Sequence, residues 1–388
     1  MIDVELLAPA GDLSRLKFAV KYGADAVYLG GKFGLRASAA IKDDSLEDAV
    51  AFAHSNNKKV FVTLNIFARN DDFEEIKNYI KNLEQLGVDA VIVSDLGVLK
   101  LVRKTTTLDV HISTQANVLN KYTAQEYADL GAKRIILARE CSIGEIKDIT
   151  SHLKGQCEIE VFVQGAMCVS YSGRCMLSNY MTNREANRGE CAQPCRYKYA
   201  LVEEFRKSQA WSIEEDTHGT YIMNSKDLCL INHLEELASS GVKSFKIEGR
   251  MKSDYYVAAT VNTYRRALNG EKLDFIKEID KIPHRPWTTG FVFRENDHLF
   301  TEHSNQISSH EVVAMCLGGN KIVQRNVFCE GDELEILSFG KNHNKTFKVL
   351  SIKDEQGQNI KRANKASAIY YLDTDTLEPD EFLRKKII

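Results

Sequence analysis

Short apolar runs alternate with amphipathic stretches through the first 165 residues of the chain. The runs Glu5–Ala8, Ala26–Gly30, Lys59–Asn65, Ala90–Asp95, Asp109–Gln115, Arg134–Arg139 and Glu158–Gln164 are mostly apolar, as strands buried on both faces of a parallel sheet must be. The stretches between them repeat at helical spacing. Asp12 opens a helix whose inner face is Leu13, Leu16 and Val20, and Gly23 ends it. Phe73, Ile76, Ile80 and Leu83 recur before Gly87, and Thr123 opens a shorter helix that Gly131 closes. An eighth strand, Ser244–Glu248, precedes a helical stretch over about residues 253–268. The pattern predicts a (β/α)8 barrel of the TIM-like kind. An open doubly wound sheet is the alternative, and the absence of a Gly-x-Gly-x-x-Gly turn after the first strand tells against it.

Two departures from the pattern organise the rest. Residues from about 166 to 240 separate strands seven and eight, too long for an ordinary connection. After about residue 300 the texture changes to short strands with Gly-rich turns, at Val312–Cys316, Lys321–Val327, Glu333–Leu337 and Thr346–Ser351. The expected organisation is a barrel domain over 1–300 with its insertion, then a small β-barrel domain over 305–388.

Composition narrows the class. Of 388 residues, 44% are apolar and 27% charged, ordinary for a soluble globular chain. A net charge of −3 is not that of a dedicated nucleic-acid binder, although a local basic patch suffices for phosphate contact. Asp3, Glu5, Asp12, Arg15 and Lys17 interrupt any secretory apolar core, and no stretch reaches the length of a membrane span. The expected location is the cytoplasm. Nine cysteines there do not make a disulfide framework, and an odd number cannot pair completely.

Four of the nine fall inside the insertion, as C-x6-C-x15-C-x3-C at Cys168, Cys175, Cys191 and Cys195. Thiolates are soft ligands that select zinc or iron–sulfur centres. Structural zinc favours C-x2-4-C pairs, which only the last two cysteines form, so the spacing leans toward an iron–sulfur cluster, with zinc or plain reduced thiols as alternatives. Cys141, Cys157, Cys229, Cys316 and Cys329 stand in apolar contexts and read as small buried hydrophobes.

In a barrel, the C-terminal strand ends carry the chemistry. Here they bear Asn65, Asp95, His111 through Gln115, Arg139, Glu140, Gln164, Glu248 and Arg250. Capping or a loop salt bridge is the plain alternative for each, above all for Asn65 and Asp95. His111 lies within strand five, where a core histidine is as natural as a catalytic one. Gln115, Arg139, Glu140, Glu248 and Arg250 are the catalytic candidates.

Several long motifs carry a resemblance. They are Glu160-Val-Phe with Gln164–Cys168, Gly173–Ser178, Glu5–Gly11, Ala26–Gly31, Ser113–Asn117, Asn224–Leu228, Lys246–Lys252 and His284–Phe291. Together they resemble the collagenase-like peptidase family U-32 over almost the whole chain. The resemblance implies a barrel with a 4Fe–4S cluster on the four cysteines. It also implies oxygen-independent hydroxylation, which members perform on tRNA, ribosomal RNA or ubiquinone precursors, with prephenate as hydroxyl source in the RNA branch. Asn224–Leu228, Lys246–Lys252 and His284–Phe291 are most similar to the tRNA branch that makes 5-hydroxyuridine at the wobble position, and the C-terminal segment looks like that branch's small β-barrel. Prephenate has two carboxylates, which arginine binds bidentately, so two among Arg36, Arg139 and Arg250 are expected to hold it.

The tRNA anticodon loop is then the expected partner, with an unidentified electron donor. Arg184, Arg188, Arg196 and Lys198 in the insertion, and Lys341, Lys345, Lys361, Arg362 and Lys365 in the C-terminal domain, are candidate phosphate contacts. Tyr171, Tyr180 and Tyr197 are candidate stacking residues. A collagenase-like peptidase is a second reading, although the chain has no His-Glu-x-x-His motif and no Gly-x-Ser-x-Gly elbow. A hydroxylase of a ubiquinone precursor is a third.

Overall fold

The computed structural model describes residues 1–35, 41, 43–168, 170–197, 215–216, 219–220, 225–294, 306–374 and 376–387. Seven strands follow in order: β1 (Glu5–Ala10), β2 (Ala26–Gly30), β3 (Lys59–Leu64), β4 (Ala90–Val93), β5 (Asp109–Ile112), β6 (Arg134–Ile136) and β7 (Glu158–Ala166). Each pairs in parallel with its neighbour, and β8 (Ser244–Ile247) pairs in parallel with both β7 and β1, closing an eight-stranded barrel. The predicted fold class is the one found.

Local chemistry explains several boundaries. The run predicted to extend to Gln115 stops at Ile112, because the Ser113 side chain accepts from Gln115 N (3.2 Å) and Thr114–Ala116 winds into a 3-10 turn. The run predicted to reach Arg139 stops at Ile136. Helix α1 (Leu13–Lys21) is capped by Asp12, which accepts from Arg15 N at 2.8 Å. Helix α5 (Lys121–Asp129) starts two residues before the predicted Thr123, because Asn120 is the cap and accepts from Thr123 N.

Chain leaving β7 returns as Asp227–Cys229, antiparallel to the end of that strand, with Asp227 opposite Ala166 and Leu228 opposite Gly165. A short helix, Leu234–Ser239, then leads into β8. The cysteine-bearing segment is thus held between two strands that are paired with each other. The helix Asp254–Leu268 is buried almost all round, because it packs on the barrel and its Tyr255 and Arg266 meet Phe382 and Ser338 O of the C-terminal domain.

That sheet is antiparallel, in the order Thr346–Lys348, Glu333–Leu337, Phe382–Lys386, His310–Gly318, Lys321–Gln324, Ile369–Leu372, Ile352–Lys353, Asn359–Ile360. Its own core includes Val313, Ile322, Phe328, Ile336, Tyr370 and Leu383. Phe382 packs on Phe18 of α1 with ring centroids 5.1 Å apart, and Tyr22 donates to Asp380 O at 2.8 Å. Between the domains Glu278 and Glu335 meet Lys281 and Arg384 in a buried charge cluster.

Candidate active site at the barrel mouth

Strand alternation puts Glu158, Glu160 and Phe162 of β7 and Ser244 and Lys246 of β8 at alternating positions. The polar groups among them fill the barrel with paired charges. Arg134 meets Glu5, Glu158 (2.6 Å) and Glu160 (3.1 Å), and Lys246 Nζ donates to Glu160 at 2.9 Å. Desolvation alone would raise the Glu160 carboxyl, but Lys246 and Arg134 overcome it and hold it below the usual range. Desolvation pulls Lys246 down from the usual ammonium value, against the attraction of Glu160. His111 is buried and packs edge-on against Phe61 at 4.6 Å. Burial first, then Arg134 and Lys246, hold it well below its ordinary value, so it is a neutral core residue.

Above this layer a cavity of about 220 Å³ opens at the C-terminal strand ends. Gln115, Arg139, Glu248 and Arg250 line it, and so do Cys168, Cys175, Cys191 and Cys195. Arg139 donates to Ala166 O at 2.7 Å and lies 4.0 Å over the Phe162 ring. Arg250 is buried and donates to Thr63 Oγ1 at 2.9 Å. Glu248 N donates to Gln164 O at 2.8 Å, fixing the turn after β8 against β7. Lys246 also lines the cavity, so three cations face it with one carboxylate, Glu248, and the cavity favours an anionic ligand.

Some sequence candidates have other work. Glu140 does not line the cavity: it accepts from Ser172 N at 2.8 Å and from Ser172 Oγ at 3.1 Å, anchoring the cysteine segment. Asp95 caps helix Leu96–Thr105 by accepting from Val98 N. Gln164 accepts from the Tyr264 hydroxyl at 2.9 Å, deep in the core. Asn65 does line the cavity, and it bridges Leu35 N and Ser113 Oγ. Arg36, Lys198 and Asn224 lie outside the described residues. Lys246 and Glu160 were not among the site residues read from sequence, although a charge at every second position of an apolar strand was a legible sign of an inward polar face.

The four cysteine thiols face one cavity and act on one another. Desolvation raises Cys168 from the ordinary thiol value, and neighbouring Cys175 and Cys191 raise it further; desolvation also raises Cys195, and so do the other three thiols. No disulfide joins any of the nine cysteines. Cys141, Cys157, Cys229 and Cys316 are buried, and burial pushes the Cys141 thiol up to about 12. Among the described residues, no three His, Cys, Asp or Glu side chains gather closely enough to hold a single metal ion. Four thiols lining one cavity are a donor set of the kind that holds an iron–sulfur cluster.

Two glycines show how tightly the mouth is built. A Cβ on Gly173 would sit 2.2 Å from Gln115 O, and one on Gly11 would sit 2.5 Å from Arg250 O. The cysteine segment and the bend after β1 therefore approach these backbones as only glycine permits.

The sequence profile of peptidase family U32 matches residues 11–301, and that of the U32 C-terminal domain matches residues 309–384. The chain belongs to peptidase family U32. The tRNA hydroxylation protein P1 of Bacillus subtilis (strain 168) is 36% identical to it, covering 98% of this chain and 94% of that protein. The tRNA hydroxylation protein P of Escherichia coli (strain K12) is 34% identical, covering 90% of this chain and 89% of that protein. An uncharacterized protease of Methanocaldococcus jannaschii is 42% identical, covering 76% of this chain and 74% of that protein.

The U32 motifs now have physical roles. Ser113–Asn117, Gly173–Ser178 and Lys246–Lys252 supply cavity walls. His284–Phe291 acts from behind: Arg285 N and Nε donate to Asp227 at 3.0 and 3.1 Å, a buried pair that ties the returning strand to the end of the U32 barrel. His284 stacks on Trp287 at 3.9 Å, and the indole donates to Asp280 at 2.7 Å.

Proposed function

We propose that this protein hydroxylates RNA without dioxygen, at C5 of the wobble uridine of tRNA, with prephenate as hydroxyl source and a 4Fe–4S cluster held by Cys168, Cys175, Cys191 and Cys195. The observation that carries the reading is the meeting of four thiols and three cations in one barrel-mouth cavity. Its support in sequence comes from relatives that match 90% or more of the chain and are named for tRNA hydroxylation.

In this reading Arg139 and Arg250 take the two carboxylates of prephenate, and Lys246 adds positive potential beneath them. Their positions are fixed in advance by Phe162 and Ala166 for Arg139 and by Thr63 for Arg250, so little ordering is left to binding. Gln115 and Glu248 face the same space and orient the base or the hydroxyl donor. When bound, the cluster supplies one-electron chemistry that needs no oxygen.

The family name also carries a peptidase reading. Among the described residues no histidine lines the cavity, so its serines have no imidazole base beside them. The test is nucleoside analysis of tRNA from a strain lacking the gene, then with the gene restored. Loss and return of 5-hydroxyuridine derivatives is the expected result; unchanged levels overturn the proposal. Gelatin cleavage by the purified protein, absent from a Cys175→Ser variant, would instead favour the peptidase.

A further inference from the structure

The cysteine segment shows solvent a face unlike the rest of the molecule. Tyr180 is 82% exposed, and Met176, Tyr171 and Met181 are exposed beside it. Tyr171 itself lines the cavity, and Met176, Tyr180 and Met181 stand on the same stretch of chain as Cys175, Leu177 and Ser178, which form its wall. Large apolar groups gathered in this way at a site entrance mark a surface that a partner covers.

The charges beside them say which kind of partner. Of the arginines near this face, Arg188 is spent on Asp72 (2.8 Å) and Arg69 on Glu185. Arg174 and Arg184 are exposed, and among the described residues neither is in an ion pair. Aromatic faces interleaved with unpaired cations suit unpaired nucleotides: bases stack on the rings and phosphates meet the guanidinium groups. An enzyme that modifies a base takes that base into its pocket, which leaves the neighbouring nucleotides to be held outside the mouth.

We infer that Tyr171, Met176, Tyr180 and Met181, with Arg174 and Arg184, form a stacking platform that receives the unpaired RNA nucleotides flanking the one admitted to the cavity. This rests on the RNA-modifying reading above and names the surface that reading lacks. The cysteine segment then has two faces, one toward the proposed cluster and one toward the nucleic acid.

The test measures binding of the cluster-loaded protein to an RNA stem–loop by fluorescence anisotropy over a range of salt. Tyr180→Ala should weaken binding about ten-fold with the visible absorption of the cluster unchanged, and Tyr180→Phe should restore it, since one stacked base is worth roughly that much. Arg174→Gln and Arg184→Gln should each lower the slope of log affinity against log salt by about 0.7. Tyr122→Ala removes an equally bare tyrosine, 70% exposed on α5, and should change nothing. Wild-type affinity in Tyr180→Ala, or no stem–loop binding by the wild type, overturns the platform. So does intact RNA affinity with turnover newly dependent on the concentration of a reducing protein, which would make this face a protein dock. If Tyr180→Ala weakens binding while the wild type hydroxylates no RNA, the platform stands and the proposed function falls.

Discussion

The barrel and the cysteine segment inserted into it are stabilised in opposite ways. In the barrel even the charges are completed from within: Arg134 alone answers Glu5, Glu158 and Glu160. In the part of the segment that carries the cysteines, the regular structure among the described residues 167–197 is one six-residue helix, Leu177–Thr182, and two 3-10 turns at Ala186–Arg188 and Pro194–Arg196. A helix that short does not hold itself together in water. Its order comes from outside anchors: Glu140 on Ser172, Phe67 N on Asn187 O (3.0 Å), and Asp72 on Arg188. The lesson is that the scaffold is self-sufficient and the functional loop is conditional, so the two should fail separately.

The strongest test of that separation is to remove a cysteine. Cys175→Ser should abolish the visible absorption of the reconstituted protein and its hydroxylation activity. Hydrogen exchange should rise across residues 177–196, while exchange in β1–β8 stays as in the wild type. Global unfolding of the variant at room temperature would break the comparison, because the barrel would then depend on the segment.

The converse test strikes the barrel. Arg134→Met leaves three carboxylates facing one another with only Lys246 to answer Glu160. Stripping one partner from a buried charge network costs about 3–5 kcal/mol. Urea denaturation of Arg134→Met should show that loss over the whole chain. A change under about 1 kcal/mol would mean that the interior charges contribute little beyond filling space.

How much of this was readable beforehand follows the same division. The barrel's strands announced themselves because burial on both faces leaves an apolar run that needs no partner to interpret. The cysteines announced themselves because four thiols at short spacing have few structural explanations. Glu140 misled because a carboxylate at a strand end looks the same whether it meets a ligand or Ser172 N, whereas for Asp95 the plain alternative of capping is what the structure shows. Lys246 was hidden inside a strand, where its value depends on Glu160 of the neighbouring strand β7. That pair is 86 residues apart because the whole insertion separates the two strands, and no local pattern encodes a contact at that distance. The exposed face of Tyr180 is equally a tertiary fact.

A finer probe concerns the cavity's arginines. Arg139→Lys and Arg250→Lys keep the charge but lose the planar fork that matches a carboxylate. Each should raise the KM for the dicarboxylate donor by roughly 10–100-fold, the worth of about 1.5–3 kcal/mol for a hydrogen bond to a charged group. Stability should move little for Arg139, which is half-buried, and more for Arg250, whose bond to Thr63 is internal. Unchanged KM in both variants would remove them from the ligand site and leave Lys246 as the remaining cation in the wall.

The smallest expected effect is the most specific to the comparison. Asp72 is held down to about 2, first by the hydrogen bond from Arg188 and then by that from Arg69 N. Its ordinary value is 3.8, so the folded state binds the proton less readily than the unfolded one. The contribution of the pair is therefore complete above about pH 4 and is lost as the pH falls toward 2. The pair with Arg188 ties the segment to the barrel, because Arg188 lies in the turn Ala186–Arg188 while Asp72 precedes helix Phe73–Gln85 of the barrel. Asp72→Asn imposes the acid condition at neutral pH. The pair is partly exposed, so about 0.2–1 kcal/mol is at stake. Amide exchange over residues 185–190 should quicken by about 1.4- to 5-fold, with RT near 0.6 kcal/mol, and exchange in β3 should not change. Equal quickening in β3 would show that the segment and the barrel open together, and the division between a self-sufficient scaffold and a conditional loop would have to be given up.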